Sequence, residues 1–171
     1  MGLLLRRMDD TGVPLLVARL VLAVLFLKMG LSKMLDPIDF LKLVREYHML
    51  PETPPCFLNL TAVVLPALEV VCALVLLVGL SVRGAAVTLL GMLVVFTGAI
   101  FLRSLDIHAQ GGIAYCAIQF DCGCGTGPVY ICRKLLENGG LLALSLVAAL
   151  SCSRRFCLSG LLHRPRISAH A

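Results

Sequence analysis

Residues 57–102 read FLNL TAVVLPALEV VCALVLLVGL SVRGAAVTLL GMLVVFTGAI FL. Two apolar runs, each at or above the roughly 20 residues that a membrane-crossing helix needs, meet across Ser81-Val82-Arg83-Gly84. So short a connection predicts a tight antiparallel helical hairpin. Working outward, the same length test picks out Val13 to Leu35 before it and Leu135 to Cys152 after it. The expectation is an all-α, integral membrane four-helix bundle formed as a single domain over 1–171. Its spans are placed at 13–35, 57–80, 82–102 and 135–152, with outer loops at 36–56 and 103–134.

Composition agrees with that reading. Of 171 residues, 59% are hydrophobic and 15% charged, and the mean hydropathy is +0.95. Soluble domains carry roughly a quarter charged residues, so both disorder and a water-soluble domain are excluded. Arg6 and Arg7 ahead of an apolar run resemble a signal peptide. That run outlasts the roughly 7–15 residues of a cleavable core, contains Arg19 and Lys28, and continues into Gly30-Leu31-Ser32-Lys33, so it is read as a retained first helix.

Basic residues near span ends set the orientation. Arg6, Arg7, Arg83, Arg154, Arg155, Arg164 and Arg166 fall on one side. On the other, Lys33, Lys42, Arg45, Arg103, Arg133 and Lys134 are interleaved with Asp36, Asp39, Glu46, Asp106, Asp121 and Glu137. Both termini are therefore expected in the cytoplasm of a multi-pass protein of the bacterial inner membrane, with the long loops periplasmic. Tyr47, Tyr115 and Tyr130 all lie in the outer segments, as suits rings at the headgroup level. After Asp36-Pro37, the spacing of Ile38, Leu41, Val44 and Leu50 opposite Lys42, Arg45 and Glu46 predicts a short interfacial helix, broken by Pro51, Pro54 and Pro55. The partners expected are membrane lipid and proteins; no feature calls for nucleic acid.

Five of the eight cysteines, Cys56, Cys116, Cys122, Cys124 and Cys132, belong to the outer segments, where an oxidising compartment favours disulfides. Cys72, Cys152 and Cys157 read as small buried hydrophobes or reduced thiols. The sharpest chemical feature is Cys122-Gly123-Cys124. A disulfide across one residue closes a small ring away from relaxed geometry and is readily attacked. Gly123, Gly125 and Gly127 give such a turn the backbone freedom it needs. Cys116 and Cys132 then form a second, shuttling or resolving pair. Structural staples, or a zinc or iron–sulfur site built from four thiolates, are the competing readings; the spacings match no common four-cysteine metal pattern, and no metal is expected. Four cysteines permit three connectivities, and all three stay open.

Ionisable groups inside spans each need an explanation. Arg19 and Lys33 are read as snorkelling to opposite interfaces. Glu69 lies roughly 16–18 Å from the outer end of its span and Lys28 about 10 Å from that of the first. An ion pair of Glu69 with Lys28 or Lys33 is the structural reading. The functional one makes Glu69 and Lys33 a proton relay or contact for a bound quinone, with Pro66 loosening the helix nearby. Asp106 and His108, beside Arg103, mark the outer end of the third span and stand as pKa-lowering neighbours of a cysteine or as ordinary interfacial residues. A solute or metal-thiol transporter is a third reading, resting on the charged interior alone.

The run Arg19-Leu20-Val21-Leu22, Phe26, Gly30, Lys33 and Met34-Leu35-Asp36-Pro37 resembles the first-helix signature of the DoxX-like superfamily. Leu65-Pro66-Ala67-Leu68-Glu69 followed by Gly79 resembles its second helix. Asp121-Cys122-Gly123-Cys124-Gly125 is similar to the cysteine motif of the MauE branch, the methylamine-utilisation membrane proteins. The resemblance spans about residues 13–152. It implies a four-helix membrane redox protein that supports periplasmic thiol–disulfide exchange, in the maturation of methylamine dehydrogenase, beside a periplasmic thioredoxin-like protein. The broader superfamily implies the alternative, a small structural subunit of a larger respiratory or quinone oxidoreductase complex. Cys122, Cys124, Lys33, Pro66 and Glu69 match family positions. The chain departs from the family in having Gly125 where an aromatic often follows the second cysteine, and in adding Cys116 and Cys132.

Overall fold

The structure, a computed structural model, describes residues 12–46, 56–121 and 127–151. Gly12 takes a left-handed φ of 68° and Pro14 sits in the first turn of α1 (Val13–Leu35), where a missing N–H costs nothing. Asp36 ends that helix and caps the next. Its Oδ1 accepts a 3.1 Å bond from the Asp39 N–H, and Pro37 opens α2 (Pro37–Glu46) with its fixed φ. The interfacial helix expected to reach Leu50 is described as far as Glu46; Tyr47 and Pro51, Pro54 and Pro55 lie outside the described residues.

Then come α3 (Cys56–Val78), with Pro66 inside it, and α4 (Val82–Gly111). The turn between them is Gly79–Ser81, because Gly79 is the residue with the left-handed φ, 76°. Arg19 of α1 closes this helix end. Its Nε donates to the Leu76 carbonyl at 2.8 Å and its Nη2 to the Leu77 carbonyl at 3.2 Å, two groups with no helical donor left to meet. Arg19 is therefore buried, at 3% exposure, and does not snorkel to the interface as the sequence suggested. At this depth the nearest strong acceptors are the carbonyls of the neighbouring helix, and they hold it. A Cβ on Gly79 would lie 2.9 Å from the Arg19 guanidinium. Gly79→Ala is expected to cost about 1–3 kcal/mol through the φ penalty alone, with the displaced Arg19 adding to it, read as a lower unfolding midpoint in detergent.

α4 runs nine residues past the span end expected at Leu102, through Gly111. Hydropathy falls at Arg103, but nothing breaks a helix before Gly112 turns to φ 60°. At 1.5 Å per residue the helix is about 45 Å long, more than the roughly 30 Å of hydrocarbon, so one end projects beyond it. A 3₁₀ turn (Tyr115–Ala117) follows, then a hairpin of β1 (Gln119–Asp121) and β2 (Pro128–Tyr130), then α5 (Ile131–Leu150). The stretch expected as the outer loop 103–134 is thus largely structured, and Cys132 lies in the first turn of α5.

Helix α1 packs along α3 and α4 along α5, while α3 also meets α4 and α1 meets α5. Leu22, Phe26, Ala73, Leu76, Ala86, Leu89, Leu93 and Ala148 fill the space between them. The outward faces are as apolar as the core: Val17, Val24, Val63, Val71, Val87 and Val95 are all exposed. Helices apolar all round belong in lipid. Three of them, α1, α3 and α4, are long and apolar enough to cross a membrane. The fourth expected span corresponds to α5, whose first two turns carry Arg133, Lys134, Glu137 and Asn138.

Candidate functional site

Two constellations stand near the end of the molecule where α1 gives way to α2. The first is the hairpin. Gln119 pairs with Tyr130, Phe120 with Val129 and Asp121 with Pro128. Ile118, Ile131 and Ile100 anchor its base, and the Ile131 N–H donates to the Ile118 carbonyl at 3.1 Å. The Tyr115 and Ser104 hydroxyls share a 2.6 Å hydrogen bond, and the His108 ring meets Tyr115 edge-on at 5.9 Å. His108 Nδ1 bonds the Ile113 carbonyl at 2.7 Å. Ser104 and His108 thus fasten the return chain to the projecting end of α4.

Cys116 and Cys132 are disulfide-bonded across this base. The sequence had left three connectivities open; the hairpin register decides for this pair, because it brings the residues before β1 beside those after β2. Two of the four sulfurs that a four-thiolate metal site would require are so committed. Among the described residues no group of three or more His, Cys, Asp or Glu is placed to hold a metal ion. Cys122 and Cys124 lie outside the described residues, in the segment that joins the two strands. Cys56 is free and exposed at the start of α3, Cys72 is free and buried, and Cys152 and Cys157 lie outside the described residues.

The second constellation is an ion pair inside the helices. Lys33 Nζ lies 2.6 Å from Glu69 Oε1, with the residues 5% and 0% exposed. Lys33 faces inward here and does not snorkel. Its ammonium sits 5.1 Å from the Phe40 ring of α2 and 4.9 Å from the Phe96 ring of α4, a cation between two π faces. Lys28, the other lysine weighed for this role, is exposed. Close approach of α1 and α3 makes the pair possible: a Cβ on Gly30 would lie 2.8 Å from Val70 Cγ2 and 3.1 Å from the Pro66 carbonyl oxygen.

Lys33 lines two cavities. The inner one, with about 20 Å³ open to a water centre, is walled by Phe26, Met29, Glu69, Leu93, Phe96 and Asn138 among others. The outer one, about 100 Å³, is walled by Ser32, Asp36, Asp39, Phe40, Leu43 and Asp121. Asp121 is the last residue of β1, so the hairpin forms part of the outer wall. Phe40, Phe96 and Asn138 were not singled out from the sequence, and Asp121 was read there as an outer acid and as the start of the cysteine motif, not as a wall of this pocket. Asn138, a buried amide bonded to Thr97 at 3.1 Å, left a readable sign, being polar beside an apolar run; the two phenylalanines left none.

A family model described as methylamine utilisation protein MauE matches residues 11–151. A methylamine utilization protein MauE of Paracoccus denitrificans is 32% identical over 134 residues, which cover 77% of this chain. The match covers 66% of that relative, so the chain spans just under two thirds of its length. No solved structure matches the chain.

Proposed function

We infer, because the chain belongs to the family of the methylamine utilisation protein MauE, that it is a membrane protein of methylamine utilisation that carries out thiol–disulfide exchange at its outer hairpin. The observation behind the chemistry is the hairpin itself. Its two strands are held at the base by the Cys116–Cys132 disulfide, and the chain between Asp121 and Pro128 contains both Cys122 and Cys124. The disulfide holds the two strands that lead to and from the pair, and in the sequence Gly123 lies between the two cysteines and Gly125 follows them. Exchange requires that a thiolate reach one of the two sulfurs.

In the exchange, a thiolate of a periplasmic thioredoxin-like partner attacks one sulfur of a Cys122–Cys124 disulfide. The S–S bond breaks as the mixed disulfide forms, and the other hairpin sulfur leaves with the electron pair and takes up a proton. The partner's second thiol, losing its proton, attacks the mixed disulfide and frees the second hairpin thiol. Two electrons and two protons pass from the partner's dithiol to the hairpin, and the reverse reaction runs through the same intermediate. Cys116 is exposed and Cys132 partly so, which leaves that pair able to exchange with the tip in turn.

A bound quinone or a proton relay was one reading of Lys33 and Glu69 from the sequence, beside a structural ion pair. The two cavities that Lys33 lines, about 20 and 100 Å³, are smaller than the roughly 300–1,000 Å³ of small-molecule sites, and no step is routed through a quinone. For topology the proposal is four spans, with α5 completing the three long apolar helices, both termini in the cytoplasm and the hairpin in the periplasm of a bacterial inner membrane. The alternative, a small structural subunit of a larger membrane complex, draws on the Cys116–Cys132 staple, which would serve equally to stiffen a docking loop. Cys124→Ser separates the two. Exchange predicts that the variant accumulates a mixed disulfide with the thioredoxin-like partner, visible as a reductant-sensitive band on a gel; a purely structural subunit gives none.

A further inference from the structure

Exchange at the hairpin leaves the Lys33–Glu69 pair without a task, and one atom of the pair unexplained. Glu69 is wholly buried; Oε1 is taken by Lys33, while Oε2 has no hydrogen-bond partner among the described residues. An unmatched carboxylate oxygen at membrane depth is costly, and a proton or a water relieves it. The cavity that Glu69 lines is the size of about one water and has the Asn138 amide on its wall. On the hairpin side of Lys33 lies the larger pocket, whose polar walls are Ser32, Asp36, Asp39 and Asp121. Lys33 is the partition between the two.

We propose that Glu69 and its cavity form a proton-binding site loaded from the hairpin face, through the outer pocket and past Lys33. The proton reaches Oε2 by way of the cavity's water and converts the carboxylate to a carboxylic acid; no electrons move. Among the residues that line the inner cavity, Glu69 is the one carboxylate; Asp36, Asp39 and Asp121 stand in the outer pocket. Helix α4 contributes Leu93, Phe96 and Ile100, and α1 contributes Phe26 and Met29 besides Lys33. On α5, Lys134 lies one turn before Asn138 and pairs with Glu137 at 3.6 Å. On α2, Asp39 pairs with Lys42 at 3.3 Å and the Asp36 carboxylate caps the helix start, both at the pocket's outer wall. Lys28 is exposed and outside the site. This site stands whether or not the cysteines exchange.

Infrared difference spectroscopy on full-length protein in oriented proteoliposomes tests it, through the deuterium-sensitive C=O band of a protonated carboxylic acid. As pH is lowered on the hairpin side, the wild type is expected to gain that band and Glu69→Gln to lack it. A wild type without the band, a band unchanged in Glu69→Gln, or a response only to acid added on the opposite side overturns the proposal. Should Glu69→Gln fail to insert, Glu69→Asp decides: a titrating band at a changed position supports the site, and an unchanged one overturns it.

Discussion

Glu69→Leu alone is expected to destabilise the protein by about 3–5 kcal/mol, and adding Lys33→Met to recover most of that loss. The single substitution leaves the Lys33 ammonium 5% exposed between two aromatic rings, with its counter-charge gone. The rings offset only about 2 kcal/mol or less of that desolvation. Lys33→Met alone is expected to cost a similar amount, by stranding Glu69 at 0% exposure. The double variant removes both charges and replaces them with apolar groups of comparable volume, which a low-dielectric interior tolerates. Unfolding midpoints of the four proteins in one detergent give the cycle. Additive losses in the double variant would mean that the two side chains do not act as a pair.

Cys122→Ser with Cys124→Ser is expected to reduce oxidation of the thioredoxin-like partner to the level seen with no copy of this chain present. The fold should be unaffected, because the base of the hairpin is held by Cys116–Cys132, Ile118 and Ile131. The pairing of Cys116 with Cys132 sharpens this expectation, because it commits those two cysteines and leaves Cys122 and Cys124 outside that bond. Replacing Cys116 and Cys132 by serine should act differently. It removes the closure of a 16-residue separation, worth about 3 kcal/mol in the loop-entropy account, and loosens the hairpin before it affects the chemistry.

Much of the helical architecture was legible in the apolar runs, and so was the need for Glu69 to have a lysine. Which lysine it takes was written in α1 in a way that hydropathy does not register. Leu15, Arg19, Leu22, Phe26, Gly30 and Lys33 form one stripe of buried positions at intervals of three and four, and Lys28 falls on the other face. The same stripe explains Arg19, which was expected at an interface and is instead a cap on its neighbour helix. Hydropathy also misplaced the end of α4, because lipid stops where the side chains become polar while a helix stops where the backbone does, at Gly112. The Cys116–Cys132 bond was beyond reach for a different reason. It depends on the register of two three-residue strands, and spacing along the chain does not set that register.

The central claim, exchange at the hairpin, is tested most directly by alkylating the outer cysteines Cys56, Cys116, Cys122, Cys124 and Cys132 in living cells, with and without the thioredoxin-like partner. The account predicts a mixture of oxidised and reduced Cys122 and Cys124 whose ratio shifts when the partner is removed. A Cys122–Cys124 pair that stays fully oxidised in both cells would contradict it.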